Sequence, residues 1–470
     1  MIDKKTKIVA TISDEKCDTK FLRELYENGM DVVRLNTAHQ EHKDALKVIK
    51  NVRKISSRIG VLLDTKGPEM RTTSVEEPIA VKRGDLIKVQ GTSRNKVSSA
   101  SYLYVNYKNF VKDVPLGASV LIDDGDIELR VKEKKGDNLI CKIHDSGIIK
   151  SRKSINVPNV RINLPALTKK DKDFIEFAID NDVDFIAHSF VRSKEDVFAI
   201  QRILDKHKSP IKIIAKIENK EGVDNIDEIL DHVYGVMVAR GDLAVEIPAE
   251  QVPLVQKNLI KKCIARQKPI ITATQMLHSM IKNSRPTRAE VSDVANAVLD
   301  GTDAIMLSGE TAFGDYPLAS VRTMSKIALE TEKGIKLPNI IPLHEDEQAV
   351  TSYLCQSAVR IAQDLGVKEI IVSSDIAFSA ELIASYRGSV PISVKCTNER
   401  RVRELSLTYS VSAHYIKKMS NVSLLKQTLK ILVKIKKVKK SDLVLYLFNN
   451  LDNSSTANSI EIFKVSKYIS

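Results

Sequence analysis

Eight short runs of apolar residues, many of them β-branched, recur through the first two thirds of the chain: KIVATIS, DVVRLN, GVLLDTK, VDFIAHSF, IKIIAKIE, YGVMVARGD, KPIITAT and DAIMLSGE. Amphipathic stretches with helical spacing, such as HKDALKVIKNVRKIS, separate most of them. Continuous apolar runs are typical of parallel strands that are covered on both faces. Eight such strand–helix units predict a closed (β/α)8 TIM barrel rather than an open sheet.

The interval between the third and fourth runs is far longer than the others. From Lys66 to Val183 it holds segments of alternating apolar and polar residues, including IAVKRGDLIKV and ASVLIDDGDIELRV. Asp124-Gly125 and Gly136-Asp137 have the composition of tight hairpin turns. We therefore predict a small all-β domain at residues 72–160, inserted after barrel strand three. A long disordered loop is the alternative, and the regular alternation disfavours it.

A third unit follows the barrel. PNIIPLHEDEQ, residues 338–348, has the composition of a linker, and strand-like runs then resume as KEIIVSS, PISVKC, SAHYIK, DLVLYLF and SIEIFKV. Strands that alternate with helical segments predict an open-sheet α/β domain at residues 349–470. The barrel is assigned to residues 1–71 and 161–340, on either side of the insertion.

Six of the predicted barrel strands end in two polar residues spaced two positions apart. Because side chains two apart on a strand share a face, each pair points the same way. The carboxyl ends of the strands form the functional face of a (β/α)8 barrel, so the pairs predict one site there. For residues 240–242 an adhesive Arg-Gly-Asp loop is the alternative, and it would have to protrude from the barrel. The pairs are Arg34 with Asn36, Asp64 with Lys66, Lys216 with Glu218, Arg240 with Asp242, Thr272 with Thr274, and Ser308 with Glu310.

These side chains indicate metal-assisted chemistry on an anion. Glu218 and Asp242 are carboxylates with no soft ligand nearby, which suits Mg²⁺ or Mn²⁺ and leaves positions for a substrate. No Ser-His-Asp or Cys-His arrangement is visible, which disfavours covalent acyl transfer. The same face carries cations that suit a phosphorylated or carboxylated small molecule: Lys216, Arg34, Lys66 and Arg71. Structural alternatives stay open for single residues: an ion pair with Glu218 for Lys216, a brace for Arg240, and turn caps for Asn36 and Asp64.

The composition excludes several classes of protein. The chain of 470 residues is 43% hydrophobic and 28% charged, as globular proteins are. No run approaches the roughly 18 apolar residues of a membrane span, and the first residues lack an apolar signal-peptide core. We therefore expect a cytoplasmic protein with no membrane partner. The five cysteines are scattered without a CxxC pair, which disfavours disulfides and zinc sites.

The net charge of +13 raises the question of nucleic acid. Only 5% of the residues are aromatic, so the lysines lack the stacking partners of single-strand-binding surfaces. The densest basic run, KILVKIKKVKK, is interpreted as the solvated face of an amphipathic helix. That helix is expected to bury Ile431, Leu432, Ile435 and Val438. No nucleic-acid partner is predicted.

Four motifs, in this order, closely resemble those of the pyruvate kinase family: LLDTKGPEMRT, IIAKIENKEG, VMVARGDLAVEIP and ITATQMLHSMIKNSRPTRAEVSDVANAVLDGTDAIMLSGETAFGDYP. The resemblance implies a (β/α)8 barrel with a β lid after strand three and a C-terminal effector domain. It implies phosphoryl transfer from phosphoenolpyruvate to ADP, giving pyruvate and ATP, in the last step of glycolysis. It also implies a homotetramer.

The same resemblance assigns roles to individual residues. It implies that Glu218 and Asp242 hold Mg²⁺ (or Mn²⁺), and that Lys216 neutralises the phosphoryl group in transfer. It implies that Thr274 helps to deliver a proton to the enolate carbon. The implied substrate-binding residues are Arg34, Arg71, Lys216, Ala239, Arg240, Gly241, Asp242 and Thr274, with Lys66 in support. The implied K⁺ ligands are Asn36, Asp64 and Thr65.

Two of the segments that depart from the pattern of that family bear on the barrel site. Ala38 stands where a serine hydroxyl binds K⁺, so one oxygen ligand is lost. Glu69 is the residue typical of K⁺-dependent members, and we predict that K⁺ dependence is retained with a water in place of the hydroxyl. TISDEKC replaces the usual Gly-Pro-Ala-Ser turn near the nucleotide, so the adenine contacts are left unassigned.

Two other functions stay open on the sequence. One is a Mg²⁺-dependent barrel lyase acting on phosphoenolpyruvate or pyruvate, although such barrels lack the β insertion and the nucleotide partner. The other is a basic, non-enzymatic barrel that binds RNA through its lysine-rich C-terminal domain. Turnover that depends on ADP separates the first alternative from phosphoryl transfer, and salt-sensitive retention on nucleic acid would support the second.

Overall fold

The computed structural model describes residues 3–94, 96–335, 349–373, 376, 379–449 and 457–469. Within these ranges the chain forms a closed eight-stranded barrel, sheets of an inserted unit, and a separate five-stranded sheet. The predicted fold class is confirmed. The linker predicted at residues 338–348 lies outside the described residues, and the exact bounds of the three domains stay predictions.

The amino-terminal part of the barrel contains its first three strands. Helix α1 begins after Asp18, whose carboxylate accepts the N–H groups of Lys20 and Phe21 as a helix cap. Strands β2 and β3 pair in parallel, and this register places Asn36 beside Asp64. The elements are β1 (Lys7–Thr11), α1 (Thr19–Glu27), β2 (Val32–Asn36), α2 (His42–Ile55) and β3 (Gly60–Asp64).

After β3 the chain leaves the barrel and forms an inserted β unit with its own apolar core. Its elements are β4 (Ile79–Val81), β5 (Leu86–Gly91), β6 (Tyr102–Val105), α3 (Phe110–Asp113), β7 (Ser119–Ile122), β8 (Ile127–Lys135), β9 (Asn138–Ile143), β10 (Gly147–Ile149) and β11 (Ile155–Asn156). Six strands form one sheet in the order β11-β7-β8-β9-β5-β6, and β10 pairs with β4. Gly125 and Gly136 have positive φ in the two predicted hairpin turns, so both turns are confirmed.

The chain then completes the barrel, whose strands run in the order β1-β16-β15-β14-β13-β12-β3-β2. Alternate side chains fill its interior, among them Val32, Leu62, Ile214 and Met237, while the others pack against the surrounding helices. The remaining elements of this part are α4 (Lys169–Asp180), β12 (Phe185–His188), α5 (Lys194–Lys206), β13 (Lys212–Ile217), α6 (Lys220–Asp224), α7 (Ile226–Leu230), β14 (Gly235–Ala239), α8 (Arg240–Glu246), α9 (Val252–Ala265), β15 (Ile270–Ala273), α10 (Arg288–Leu299), β16 (Ala304–Leu307), α11 (Gly309–Ala312) and α12 (Pro317–Glu332).

The C-terminal unit is an open sheet with helices on both faces. Its strands run in the order β19-β18-β17-β20-β21, and only β21 is antiparallel to its neighbour. The elements are α13 (Ala349–Asp364), β17 (Glu369–Val372), α14 (Ser379–Ser385), β18 (Ile392–Cys396), α15 (Glu399–Glu404), β19 (Val411–Tyr415), α16 (Asn421–Lys434), β20 (Leu443–Phe448) and β21 (Ser459–Lys464). Across the described residues, no helix combines the length and apolar character that a membrane crossing requires.

The burial predicted for the basic run at residues 430–440, which begins in α16, is only partly confirmed. Leu432 and Val438 are buried, but Ile431 is 37% exposed and Ile435 is 52% exposed, so the prediction for these two is wrong. The buried face of α16 runs through Leu425, Leu429 and Leu432, and Ile431 lies about 100° away from it around the helix. Ile435 falls just after the last helical residue, where the chain turns away.

The C-terminal unit joins the barrel at the amino ends of the barrel strands. Asp184 accepts the Val61 N–H at 2.8 Å within the barrel and the Arg403 Nε at 2.6 Å from the C-terminal unit. Asp303 likewise accepts the Ile270 N–H at 3.1 Å and Arg387 at 2.7 Å. Both carboxylates are buried. This junction leaves the carboxyl ends of the strands free to form a site.

His188, at the end of β12, is buried, and among the described residues neither ring nitrogen has a hydrogen-bond partner within normal distance and angle. Burial lowers its pKa from the ordinary 6.5 to about 4, although Asp196 and Asp171 act in the opposite direction. The unfolded chain therefore takes up a proton first as the pH falls, and stability is lost below pH 6.5. We expect this group to cost about 2 kcal/mol of unfolding free energy between pH 7 and pH 5.

The His188→Leu variant removes the titrating ring and keeps a side chain of similar bulk. Urea unfolding of both proteins at pH 7 and pH 5 would measure the difference. The variant should lose about 2 kcal/mol less than the parent chain over this interval. An equal loss in both proteins would contradict the assignment of a neutral, buried His188.

Candidate active site

Three charged side chains meet inside the carboxyl end of the barrel. Arg34, Asp64 and Lys216 occupy the inward phase of β2, β3 and β13, two positions beyond interior apolar residues. Asp64 Oδ2 accepts a hydrogen bond from Arg34 Nε at 2.6 Å, and its Oδ1 lies 3.1 Å from Lys216 Nζ. Burial alone would raise the pKa of Asp64, but Lys216 and Arg34 hold it below the ordinary value. Asp64 is therefore an anion that orients both cations.

Lys216 has three oxygen neighbours. Its Nζ lies 2.9 Å from Glu218 Oε1 and donates to Ser189 Oγ at 2.7 Å, in addition to its contact with Asp64. Burial acts to lower the pKa of Lys216, but Asp64 and Glu218 outweigh it and raise the pKa above the ordinary value. The ammonium is thus a permanent positive charge at the mouth of the barrel.

Glu218 and Asp242 are two carboxyl groups whose ionisation is opposed by burial and only partly favoured by Lys216. Burial, together with the charge of Asp242, raises the pKa of Glu218 against the influence of Lys216. The Asp242 side chain keeps contact with solvent, yet crowding by protein atoms raises its pKa, and Asp124 and Glu69 add to the effect. Two carboxylates that disfavour each other's ionisation are the kind of site that a divalent cation stabilises.

The chemistry of this pair fits Mg²⁺ or Mn²⁺. Among the described residues, no group of three or more His, Cys, Asp or Glu side chains is placed to hold a metal. Mg²⁺ in sites that handle phosphates is typically bound by one or two carboxylates together with ligand oxygens. Glu218 and Asp242 match that mode, since both are hard oxygen donors and no thiol or imidazole accompanies them.

The loop after β14 and the loop after β15 are joined by one hydroxyl. Thr274 Oγ1 accepts the Gly241 N–H at 2.8 Å and donates to the Ala273 carbonyl at 2.7 Å. Thr274 has φ +67°, in the left-handed region, so it no longer follows the alternation of β15. Ala239 is the last residue of β14, and Gly241 lies in the first turn of α8. This places Gly241, Asp242 and Thr274 side by side at the mouth.

Three of the predicted same-face pairs are arranged differently from the expectation. The Arg240 guanidinium turns outwards and makes two 2.7 Å hydrogen bonds to Asp293 on α10. A third bond, of 2.7 Å to the Thr274 carbonyl, makes it a brace for that loop. Thr272 points out of the barrel and donates to Thr302. Glu310 accepts the N–H groups of Leu277 and Ser308, which gives it a structural role.

Two predicted cations stand apart from Arg34 and Lys216. The Lys66 side chain is exposed to solvent just after β3. Arg71 donates to Glu69 Oε2 at 2.8 Å and to the Arg152 carbonyl at 2.7 Å, on the path to the inserted β unit. Neither is in the buried charge network of the mouth in this conformation.

The oxygens proposed for a monovalent cation lie at the end of β2, at the end of β3 and on the residue after β3. Asn36 is the register partner of Asp64, and its Oδ1 accepts the Ala38 N–H at 3.2 Å. The Thr65 carbonyl accepts a hydrogen bond from Ser189 Oγ at 2.7 Å. Asn36, Asp64 and Thr65 therefore supply amide, carboxylate and carbonyl oxygens, which are suitable donors for a hard cation. The methyl group of Ala38 contributes none.

Ser189 is a member of the network that the sequence did not single out. Its hydroxyl accepts from Lys216 and donates to the Thr65 carbonyl, so it connects two predicted groups. Ser189 follows Phe185 and Ala187 in the inward phase of β12, but the search for polar pairs missed it because the residues two positions away, Ala187 and Val191, are apolar. The usable signal was a hydroxyl directly after a barrel strand.

A cleft of about 670 Å³ opens between the inserted β unit and the barrel mouth. Asp242 and Glu246 line it from the barrel, and Asp124 and Ser154 line it from the inserted unit. Asn156 Nδ2 donates to Glu246 Oε1 at 2.7 Å across the cleft. A space of this size accommodates a small phosphorylated ligand with its counter-ions.

Comparison with known families assigns the chain. A family model described as the pyruvate kinase barrel domain matches residues 3–321, and one described as the pyruvate kinase alpha/beta domain matches residues 352–463. The chain belongs to the pyruvate kinase family. Members of this family are phosphotransferases that need a divalent metal ion and K⁺. The resemblance seen in the motifs is thereby confirmed.

Individual pyruvate kinases are similar over most of their length. The pyruvate kinase of Borreliella burgdorferi is 50% identical over 422 residues, which are 88% of this chain and 87% of that protein. That of Geobacillus stearothermophilus is 45% identical over 418 residues, or 87% of this chain and 71% of that protein. A crystal structure of a pyruvate kinase from Cryptosporidium parvum superposes with a TM-score of 0.91 at 35% identity, covering 98% of this chain and 96% of that one.

Proposed function

We propose that the barrel mouth transfers the phosphoryl group of phosphoenolpyruvate to ADP and releases pyruvate and ATP. The observation that carries this proposal is the buried network in which Asp64 and Glu218 hold Lys216 as a fixed cation beside Arg34. Phosphoryl transfer needs little covalent chemistry from a protein, and positioning with charge neutralisation supplies most of the catalysis. Family membership supports the choice of reaction.

Lys216 and Arg34 are assigned to the phosphoryl group. Both have their nitrogen atoms fixed by Asp64, so little reorganisation is needed when negative charge moves between the oxygens. Arg34 also donates to Thr11 Oγ1 at 2.9 Å, which fixes its plane. Arg71, and Lys66 in support, would join them when the inserted β unit approaches the barrel.

Glu218 and Asp242 would hold Mg²⁺ or Mn²⁺. A bound divalent ion neutralises substrate oxygens and fixes their orientation. The chain's own contribution is to hold both carboxylates at the mouth, with Glu218 2.9 Å from the ammonium of Lys216. Ala239, Arg240 and Gly241, where β14 meets α8, are assigned to the carboxylate of the substrate, which would take the Gly241 N–H in place of Thr274 Oγ1.

Thr274 is assigned to the proton that reaches the enolate carbon. Its hydroxyl sits between the Gly241 N–H and the Ala273 carbonyl, so its position is fixed by two short hydrogen bonds. A hydroxyl can pass a proton to a substrate atom when a second proton source refills it. The inserted β unit would close over the cleft and exclude water, so that the phosphoryl group reaches ADP rather than solvent.

The first test is a coupled assay with phosphoenolpyruvate, ADP, Mg²⁺ and K⁺, in which pyruvate formation is followed by oxidation of NADH. Pyruvate that appears only with ADP present would establish the reaction. Pyruvate or another product formed without ADP would favour a barrel lyase instead. Absence of any turnover on phosphoenolpyruvate would refute the proposal.

We propose that K⁺ dependence is retained although Ala38 lacks a hydroxyl, with Asn36, Asp64, Thr65 and a water as ligands. Activity should be largely lost in buffer that contains tetramethylammonium instead of K⁺ and Na⁺. The Ala38→Ser variant adds one oxygen and should lower the K⁺ concentration for half-maximal activity about fivefold, the equivalent of roughly 1 kcal/mol. Ala38→Val, which adds bulk without oxygen, should not. Full activity of the parent chain without K⁺ would contradict this part of the proposal.

The proposed assembly is a homotetramer, with no nucleic acid or membrane as partner. The proposal draws on large apolar side chains that are exposed around the barrel: Leu254 on α9 is 63% exposed, Leu299 on α10 is 56% exposed, and Phe313, just after α11, is 64% exposed. Light scattering after size-exclusion chromatography should give four times the chain mass of 52.4 kDa. A monomer at micromolar concentration would count against it.

A further inference from the structure

Two segments connect the barrel and the inserted β unit: an outgoing crossing that follows β3 and a returning crossing that precedes α4. One buried carboxylate contacts both. Asp171 lies in the first turn of α4 and is completely buried. Its Oδ1 accepts the N–H groups of Lys66 at 3.0 Å and Gly67 at 3.2 Å, on the outgoing crossing. Its Oδ2 accepts the N–H at 2.9 Å and the hydroxyl at 2.6 Å of Thr168, on the returning crossing.

This arrangement exceeds what capping of α4 requires. In a capping box the acidic side chain returns only to the N–H of the cap residue, here Thr168. One oxygen of Asp171 is sufficient for that. The other oxygen reaches residues more than a hundred positions earlier in the chain and satisfies two consecutive backbone donors there.

On the outgoing crossing, Gly67 packs against residues that contact the proposed catalytic groups. Gly67 has φ +72°, and a Cβ at this position would come within 2.7 Å of the Phe190 ring and 2.8 Å of the Ser189 Cβ. The Phe190 N–H donates to Glu218 Oε2 at 2.6 Å, and the Ser189 hydroxyl contacts Lys216. The backbone at Gly67 is therefore packed directly against the residues that hold the two proposed catalytic groups.

The returning crossing is supported at a second place, nearer the cleft. Arg192 donates to the carbonyl groups of Ile162 at 3.1 Å and Leu164 at 3.0 Å. Asp196 holds that guanidinium through two of its nitrogens, at 2.9 and 3.0 Å. Arg192 thus fixes one crossing, whereas Asp171 ties the two crossings to each other.

We propose that Asp171 is a positioning residue that sets the pivot of the inserted β unit relative to the barrel. The role rests on the proposed function, because closure over the cleft matters only if the mouth carries out phosphoryl transfer. Because both crossings are hydrogen-bonded to one carboxylate, the inserted unit rotates about a fixed axis. Arg71 then reaches the mouth in the same place at each closure, and Asp124 and Ser154 face Asp242 across the cleft at a defined distance.

The test compares Asp171→Ala and Asp171→Asn with Asp173→Asn, a matched change at an exposed position of the same helix. Asp171→Asn keeps an oxygen for Lys66 and Gly67 but presents an amide N–H₂ to the donors of Thr168. We expect kcat to fall about tenfold or more for Asp171→Ala, since small misplacements are costly in transfer reactions. The kcat of Asp171→Asn should lie between those of Asp171→Ala and the parent chain. The kcat of Asp173→Asn should equal that of the parent.

Hydrogen exchange read by mass spectrometry separates the pivot from a general loss of structure. In Asp171→Ala the amides of residues 66–67 and 168 should exchange at least about tenfold faster, while β12 and β13 stay protected. In Asp171→Asn only the returning crossing should change. Unchanged kcat despite faster exchange at both crossings would overturn the positioning role, and so would unchanged exchange.

The same pair of measurements keeps the two proposals distinct. If the parent chain shows no ADP-dependent turnover, the proposed reaction fails, while the exchange pattern still reports whether Asp171 ties the crossings. If Asp171→Ala does not fold, Asp171→Asn and its exchange at residue 168 decide the outcome. A fall in kcat with exchange raised throughout the barrel would also overturn the proposal, since it indicates general unfolding.

Discussion

We expect Lys216→Met to lower kcat by about a hundredfold or more, because a preorganised charge that stabilises a transition state is worth at least that much. Methionine keeps the length and bulk of the side chain and removes only the ammonium. The loss should be in kcat rather than in KM for ADP, since Lys216 is assigned to the group in transfer. Steady-state kinetics by the coupled assay would give both values.

The same substitution should also reduce stability, which needs a separate measurement. Asp64 and Glu218 would be left facing each other in the barrel without the ammonium between them. Breaking a buried ion pair in this way costs about 3–5 kcal/mol. Lys261→Met, at an exposed position of α9, is the matched control and should leave kcat and thermal stability unchanged. A kcat of Lys216→Met within a few-fold of the parent value would contradict the catalytic role assigned to Lys216.

We expect Glu218→Gln to weaken binding of the divalent ion by more than the roughly 10- to 100-fold that loss of an outer-shell partner typically costs. The amide is a poor ligand for Mg²⁺, and its single oxygen must serve both the Phe190 N–H and Lys216 Nζ. Direct Mn²⁺ binding, followed by electron paramagnetic resonance, measures affinity without turnover. A Mg²⁺ titration of activity gives the functional counterpart.

The control for this prediction is Glu250→Gln, which changes an exposed carboxylate in the short turn before α9. Its Mn²⁺ affinity should match that of the parent chain. If Glu218→Gln bound Mn²⁺ as tightly as the parent, Glu218 would not be a ligand, and Asp242 would have to act with substrate oxygens alone. The network around Lys216 would then be a structural ion pair.

The sequence was informative wherever a residue follows the regular geometry of a strand. All eight barrel strands were found from apolar runs, because a parallel sheet covered on both faces requires them. Arg34, Asp64 and Lys216 converge as predicted by the two-residue period, since each lies within or at the end of a straight strand. The hairpins of the inserted β unit followed from their glycine turns.

Prediction was less successful where the backbone leaves that geometry. Thr274 and Phe190 have positive φ, and Arg240 begins a helix, so counting by two no longer gives the direction of a side chain. Arg240 consequently points to Asp293, whereas Ser189 keeps the inward phase of β12 and was missed because no polar residue lies two positions from it. Such departures depend on long-range packing, such as the contact of Phe190 with Gly67, which a local pattern does not contain.

Strand β12 runs from the junction with the C-terminal unit to the mouth of the barrel. Asp184 precedes it and receives Arg403 from the C-terminal unit, and Ser189 follows it and contacts Lys216. Five residues of extended chain span about 16 Å. A strand that is hydrogen-bonded on both sides stretches very little, so the distance between Asp184 and Ser189 stays nearly constant. The contact with Arg403 and the contact with Lys216 are therefore held at a fixed separation, at the two ends of one short strand.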